Sequence, residues 1–254
     1  MNERQEKIKT LINESGEAKL SELESLFPNY SSMTIRRDLE KLESLGEIIR
    51  TRSGAKSIAH LSSLNEALYS ERARENILEK AGIAGKAHGL ITQGCSVFLD
   101  TGTTVTALAK LLKTDKLFII TAAPNIALEC VKNPDISVFM VGGQLSKGNL
   151  SSSGINALSF LDQINIDIAV MATSGITKQN GFTCGNYDES QLKRRAIEKA
   201  SKVILVMDSS KYGKSLPFTF AEISDIDVLV TDSKIDKSFL KELQKYKKIE
   251  VLIH

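Results

Sequence analysis

Several short stretches of this chain carry residue types and spacings suited to holding an anion. Asp100-Thr101-Gly102-Thr103-Thr104 sets one glycine among three hydroxyls, just ahead of Leu108, Leu111 and Leu112 at helical spacing. Hydroxyls and free N–H groups at a helix start make an anion nest suited to a phosphate. Gly142-Gly143 lets the backbone come close to a ligand. Thr173-Ser174-Gly175 and Gly181-Phe182-Thr183 lead into a helix with Glu189, Lys193 and Arg194, and Asp208-Ser209-Ser210-Lys211 brings a cation that could meet the same anion. Far upstream, Thr34, Arg36, Arg37 and Lys41 share the polar face of a helix capped by Ser31. Guanidinium forks on a helix face suit guanine edges and phosphates in a major groove. Singly, each motif is ordinary: a TGTT loop also caps helices, a GG pair makes turns, and DSSK is a common solvated loop. What matters is where the fold brings them.

The first sixty residues predict three short helices. Ile8, Leu11 and Ile12 repeat along the first, which Gly16 ends; Ser21 caps a second, burying Leu23, Leu26 and Phe27; Ser31 caps a third, in which Ile35, Leu39 and Leu42 face inward. After Gly46, residues 47–54 read as strand, tight turn and returning strand, with Arg50, Arg52 and Lys56 unopposed by any acid from 48 to 56. Residues 1–60 hold ten basic and ten acidic side chains, so this part is neutral but polarised. Residues 58–71 read as a linker, and 72–91 as one long helix closed by Gly94. Beyond it come apolar runs at 97–99, 117–120, 138–141, 168–171, 203–206 and 228–230, apolar on both faces as a buried parallel sheet requires. Ligands settle at the carboxyl ends of such strands, and four of the motifs above stand there. The expected fold class is thus α/β, with an N-terminal winged helix-turn-helix over 1–57, a linker over 58–71 and an open α/β domain over 72–254.

The run Ser31-Ser32-Met33-Thr34-Ile35-Arg36-Arg37-Asp38-Leu39, with Leu42, Leu45-Gly46 and Ile49-Arg50, resembles the winged helix of the DeoR family of bacterial regulators. The resemblance implies operator contact by Thr34, Arg36 and Arg37, with Asp38 holding a neighbouring arginine; the capped helix face and the basic wing add Ser31, Lys41, Arg50 and Arg52 as expected DNA contacts. The chain departs from the family at the wing, where Arg52-Ser53-Gly54-Ala55 replaces H-G-G-A. Residues 72–232 resemble the family's sensor domain, which is similar in fold to sugar-phosphate isomerases and CoA transferases. That implies a phosphorylated sugar as effector, bound by Asp100, Thr101, Gly102, Thr103, Thr104, Gly142, Gly143, Gly175, Glu189, Lys193 and Lys211. The family's T-N after the second strand is here Thr121-Ala122-Ala123, which predicts the loss of one polar contact to the sugar. The resulting expectation is a transcriptional regulator, a repressor of a carbohydrate-metabolism operon, acting as a homodimer or homotetramer because one small winged helix cannot reach useful specificity.

Composition bounds the alternatives. With 254 residues, 42% of them hydrophobic, the chain can bury a real core, and a net charge of +2 excludes a polybasic protein. No apolar run has the length of a membrane span and the N-terminus is charged, so a cytoplasmic protein is expected. Cys95, Cys130 and Cys184, and His60, His88 and His254, lie far apart, predicting neither metal nor disulfide framework, and no cofactor is expected. The enzymatic alternative, a sugar-phosphate isomerase or deaminase fused to a DNA-binding domain, would have only Asp100 and Glu189 as bases, since no histidine stands in these loops.

Overall fold

The computed structural model describes residues 3–15, 17–51, 53–57, 67–113, 115–246 and 248–254, without the side chains of Glu3, Glu14, Glu17, Lys56 and Ser57. The chain divides into two compact units, Met1–Asn65 and Glu66–His254. Gly16, Arg52 and most of the expected linker lie outside the described residues.

In the first unit, α1 (Glu3–Ser15), α2 (Leu20–Leu26) and α3 (Ser32–Ser44) bury Ile8, Ile12, Leu23, Ile35, Leu39 and Leu42 in one core. Leu26, expected in that core, is instead exposed. α2 begins one residue before Ser21: Lys19 is its N-cap, and the Lys19 N–H donates to Glu22 Oε2 at 2.9 Å. The predicted hairpin is β2 (Ile48–Thr51) with β3 (Gly54–Ser57), and a third strand, β1 (Glu17–Lys19), completes the sheet in the order β1-β3-β2. β1 pairs with β3 because residue 54 is glycine. A Cβ there would stand 2.0 Å from the Ala18 carbonyl oxygen.

The second unit opens with a helical turn, α4 (Tyr69–Arg72), inside the stretch expected as linker, followed by α5 (Ile77–His88). The single helix expected from 72 to 91 is therefore broken. Asn76 adopts the left-handed conformation (φ 49°), which asparagine tolerates better than most residues, and its side-chain amide donates to Asp208 Oδ1 at 3.0 Å. A tertiary hydrogen bond thus overrides helical continuity.

Seven parallel strands follow: β4 (Ser96–Leu99), β5 (Leu117–Thr121), β6 (Ile136–Met140), β9 (Ile166–Ala172), β12 (Ala200–Val206), β14 (Val228–Thr231) and β15 (Glu250–Ile253). Their order is β15-β14-β12-β9-β4-β5-β6. Six match the predicted runs, while β15 carries no such run because Glu250-Val251-Leu252-Ile253 is short and half exposed. β6 is an edge strand, so Phe139 and Met140, expected to be buried, are exposed. Side chains of alternate pleat bury on the two faces, Phe98 and Ile120 in one core and Val97, Leu99 and Ile119 in the other. The helices α6 (Thr103–Ala109), α7 (Pro124–Cys130), α8 (Ile155–Asp162), α9 (Tyr187–Lys199) and α10 (Lys237–Leu243) lie in the connections. A hairpin, β7 (Gln144–Ser146) with β8 (Ser151–Ser153), and a small antiparallel sheet of β10 (Gly175–Thr177), β11 (Gly181–Cys184) and β13 (Phe218–Ala221) are added. From β4 the chain proceeds outward to β5 and β6, then returns to β9 and runs the other way through β12 and β14 to β15. The reversal between β4 and β9 is the topological switch point, where an open sheet leaves a crevice.

Candidate functional site

At that switch point, beyond the ends of β4 and β9, lies a buried ionic cluster. Asp100, first residue after β4, pairs with the Lys193 ammonium from α9 and accepts the Ala172 N–H at 2.8 Å. Lys193 Nζ also donates to the Ala172 carbonyl at 3.1 Å and stands 3.3 Å from Glu189, one helical turn earlier. Burial pulls the Lys193 ammonium down, but Asp100 and Glu189 outweigh it and the net shift is upward, so the lysine is held charged. Glu189 further accepts from Thr101 Oγ1 at 3.3 Å and from the Asn149 amide, while Asn149 Oδ1 accepts from Ser146 Oγ at 2.7 Å. Four expected site residues, Asp100, Thr101, Glu189 and Lys193, do converge. They converge, however, as partners of one another in the interior.

Thr101–Thr104 wraps the start of α6. Gly102 is the N-cap at φ 124°, a conformation only glycine adopts readily, and the N–H groups of Thr103 and Thr104 have no acceptor among the described residues. Two strand spacings away across β9, roughly 10 Å, the loop after β12 carries Asp208 and Lys211. Asp208 Oδ1 accepts from Asn76, the Ser210 N–H and the Ser210 hydroxyl, whereas its buried Oδ2 accepts nothing from the described residues. Lys211 is pushed below the ordinary lysine range by burial, with Asp208 opposing and the like charges of Lys214 and Arg72 assisting. Lys80, buried in α5, is also lowered, first by burial, and donates to the carbonyls of Arg72 and Glu75. Cationic groups thus gather at the β12 end of the crevice, and a net negative cluster lies beneath its β4 end.

Two of the other expected glycines serve packing. A Cβ at Gly143 would meet the Ser153 carbonyl oxygen at 2.3 Å, and one at Gly175 the Lys214 carbonyl oxygen at 2.5 Å, whereas Gly142 faces open space after the edge strand β6. Three polar residues that sequence reasoning missed line the same sheet edge. Asn125 Nδ2 donates to Tyr69 Oη and Thr106 Oγ1, each at 3.0 Å, and Tyr69 Oη donates to Thr106 Oγ1 at 2.9 Å. Nothing in the local sequence around Tyr69 or Asn149 signals either role.

In the first unit, Arg36, Arg37 and Lys41 are exposed along α3, with no carboxylate in ion-pair range among the described residues. Ser31 Oγ accepts the Thr34 N–H at 3.2 Å and lies 2.9 Å from Thr34 Oγ1, the predicted cap. One expectation is refined and one changes. Asp38 is buried and does hold an arginine, but one brought from α1, Arg4 at 2.5 Å, with Gln5 of the same helix at 2.9 Å. Arg50, expected to be unopposed, is held by Glu40 at 2.7 Å and Glu43 at 2.9 Å on α3. Those acids lie seven and ten residues upstream, outside the 48–56 window. Arg52 falls outside the described residues.

A winged helix that exposes arginines on its third helix, joined to an α/β unit with charged and polar side chains gathered at its switch point, fits a DNA-binding regulator with a sensor unit. Residues 4–60 match the DeoR-like helix-turn-helix domain and residues 75–233 the DeoR C terminal sensor domain. The chain belongs to the DeoR family of transcriptional regulators. It is 35% identical over 249 residues to the HTH-type transcriptional regulator YulB of Bacillus subtilis, covering 98% of this chain and 95% of that one. It is 32% identical to GlpR of Haloferax volcanii, covering 95% and 94%, and 34% identical to the repressor GlcR of Bacillus subtilis, covering 84% and 81%. Among solved structures, ribose 5-phosphate isomerase A of Methanocaldococcus jannaschii is similar over 54% of this chain and 55% of its own, at 16% identity and a TM-score of 0.41. No helix among the described residues is long and apolar enough to cross a membrane.

Proposed function

We propose that the chain represses a carbohydrate-metabolism operon, and that its hold on operator DNA changes when a phosphorylated sugar enters the switch-point crevice. The observation that carries this reading is the span across β9: unpaired N–H groups of Thr103 and Thr104 on one side, Lys211 and the unused Asp208 Oδ2 on the other. A span of roughly 10 Å suits a molecule with a phosphate at one end and hydroxyls along its length. In the sensor unit, Thr103 and Thr104, at the Gly102 turn, and Lys211 touch the ligand, while Asp100, Thr101, Glu189 and Lys193 hold the crevice in shape from beneath. Arg36, Arg37 and Lys41 face the DNA, with Ser31 and Thr34 at the start of the helix that enters the groove. Repression is carried over from relatives named as repressors, among them GlcR and the putative aga operon repressor of Escherichia coli O157:H7. A homodimer or homotetramer on a palindromic site is expected from the small size of one winged helix. Turnover is disfavoured because Asp100 and Glu189, the nominated bases, are both engaged by Lys193.

The test is operator binding by fluorescence anisotropy on the DNA upstream of the chain's own gene, with sugars added in phosphorylated and unphosphorylated form. At least one phosphorylated sugar should shift operator affinity by about five-fold or more while its free sugar does nothing. Lys211→Ala and Thr103→Val should bind operator normally and lose the response. Response to the free sugar, or a normal response in both variants, would refute the assignment.

A further inference from the structure

The segment joining the second unit to the chain before it is built into the crevice. Tyr69 follows the boundary between units by only a few residues. Its hydroxyl donates to Thr106, whose own hydroxyl donates to the carbonyl of Gly102, the N-cap of α6. Its backbone N–H donates to the Gly148 carbonyl at 2.7 Å, in the loop that also delivers Asn149 to Glu189. At the segment's other end, Asn76 holds Asp208 and Ser210 beyond β12, from a left-handed backbone conformation that interrupts the helix. Between the two ends, Lys80 donates to the carbonyls of Arg72 and Glu75, just beyond the turn of α4. Residues 69–76 therefore run along the sheet edge from the β5 and β4 side to β12, tied to the two loops that the proposed ligand would engage.

We propose that Tyr69 and Asn76 are positioning residues that clamp 69–76 as a strap across the crevice, so that ligand occupancy is passed to the chain leading to the DNA-binding unit. This rests on the reading of the crevice as a ligand site. The coupling has a concrete origin. An anion on the Thr103 and Thr104 N–H groups draws on the same first turn of α6 that Thr106 ties to Tyr69. A ligand hydroxyl on Asp208 Oδ2 reorients the carboxylate that Asn76 holds through Oδ1. A ligand shifts the protein only through contacts that differ between two arrangements, and these contacts do differ between strap docked and strap released.

The experiment uses the full chain with Tyr69→Phe, which keeps the ring and removes the hydroxyl, and Asn76→Gly, which keeps the left-handed backbone without strain and removes the amide. Operator affinity is measured by anisotropy without ligand, then with ribose 5-phosphate, glucosamine 6-phosphate and fructose 1-phosphate. Binding of the same compounds is measured separately by calorimetry. Releasing the strap should change ligand-free operator affinity by about five-fold or more, toward the value of the liganded wild type. It should also reduce the ligand-induced change while calorimetric affinity rises, because the ligand no longer spends binding energy on releasing the strap. A merely structural contact would weaken both affinities together or neither. Wild-type operator affinity without ligand in both variants overturns the strap. If no compound binds the wild type while the variants still shift operator affinity, the strap stands and the sugar-phosphate reading falls. Should Tyr69→Phe fail to fold, Asn76→Gly alone decides.

Discussion

Replacing Lys193 by methionine tests whether the buried cluster is structural, because the substitution keeps the apolar stem and deletes the charge. Lys193, Asp100 and Glu189 have side chains only 4%, 3% and 4% exposed, so water cannot take the place of the ammonium. At 3.3 Å and an effective dielectric of about 20, the Lys193–Glu189 attraction alone amounts to about 5 kcal/mol. The variant has an escape: one carboxylate takes up a proton. From an ordinary carboxylate pKa near 4, that costs about 4 kcal/mol at pH 7 and about 1 kcal/mol at pH 5. If Asp100 takes the proton, Glu189 keeps the Thr101 and Asn149 donors, and the destabilisation comes to about 4 kcal/mol or somewhat more at neutral pH, within the 3–5 kcal/mol typical of breaking a buried pair. For a unit of this size each kcal/mol lowers Tm by about 2–4 °C, giving a loss of roughly 8–16 °C at pH 7 and roughly 2–4 °C at pH 5. The sign is set by carboxylates whose folded pKa is raised in the variant: they cost nothing below their unfolded pKa and most above the folded one. Thermal unfolding followed by circular dichroism at the two pH values measures this. A deficit under about 2 °C at pH 7, or one equal at both pH values, would refute the argument; adding Asp100→Asn should recover most of the loss.

In the first unit, Arg36→Ala or Arg37→Ala should cost about 1–3 kcal/mol of operator affinity where the side chain reads a base. Arg50→Ala should cost less than about 1 kcal/mol, because Glu40 and Glu43 already engage it; anisotropy titrations at several salt concentrations check both, and equal losses in all three variants would contradict the assignment. In the second unit, affinity for a phosphorylated sugar should fall as pH rises through the lowered Lys211 pKa, beginning below the ordinary lysine value of 10.5. Only the protonated amine pairs with the anion, so calorimetry should find proton uptake on binding in that range; no uptake and a flat affinity would exclude Lys211 from the site.

What the sequence revealed followed from local rules. The recognition helix was legible because Ile35, Leu39 and Leu42 set its buried face and so fixed Arg36, Arg37 and Lys41 outward. Six strands were legible because a parallel sheet buried on both faces leaves unbroken apolar runs. Misreadings came where distant partners decide. The break at Asn76 answers to Asp208, 132 residues away, and Arg50 looked unopposed only because its acids sit on the preceding helix. Asp38 holds an arginine, as the resemblance implied, but only the fold decides that it is Arg4 of α1.

The same limit explains why motif spacing singled out Asp100, Glu189 and Lys193 without distinguishing contact from support. A carboxylate after a strand end and a lysine four residues after a glutamate suit ligand binding and an internal ion pair equally well. Burial separates the two uses. A charge that meets a soluble anion must give up water only when the anion arrives, whereas Lys193 has given it up permanently to two carboxylates. Lys211 has shed much of its hydration without an equal compensation, and its lowered pKa records the imbalance. An incoming phosphate gains most from a cation in that second condition, since pairing also relieves a desolvation already incurred in folding. Affinity for the anion is therefore expected to reside at the β12 end of the crevice, and rigidity at the β4 end.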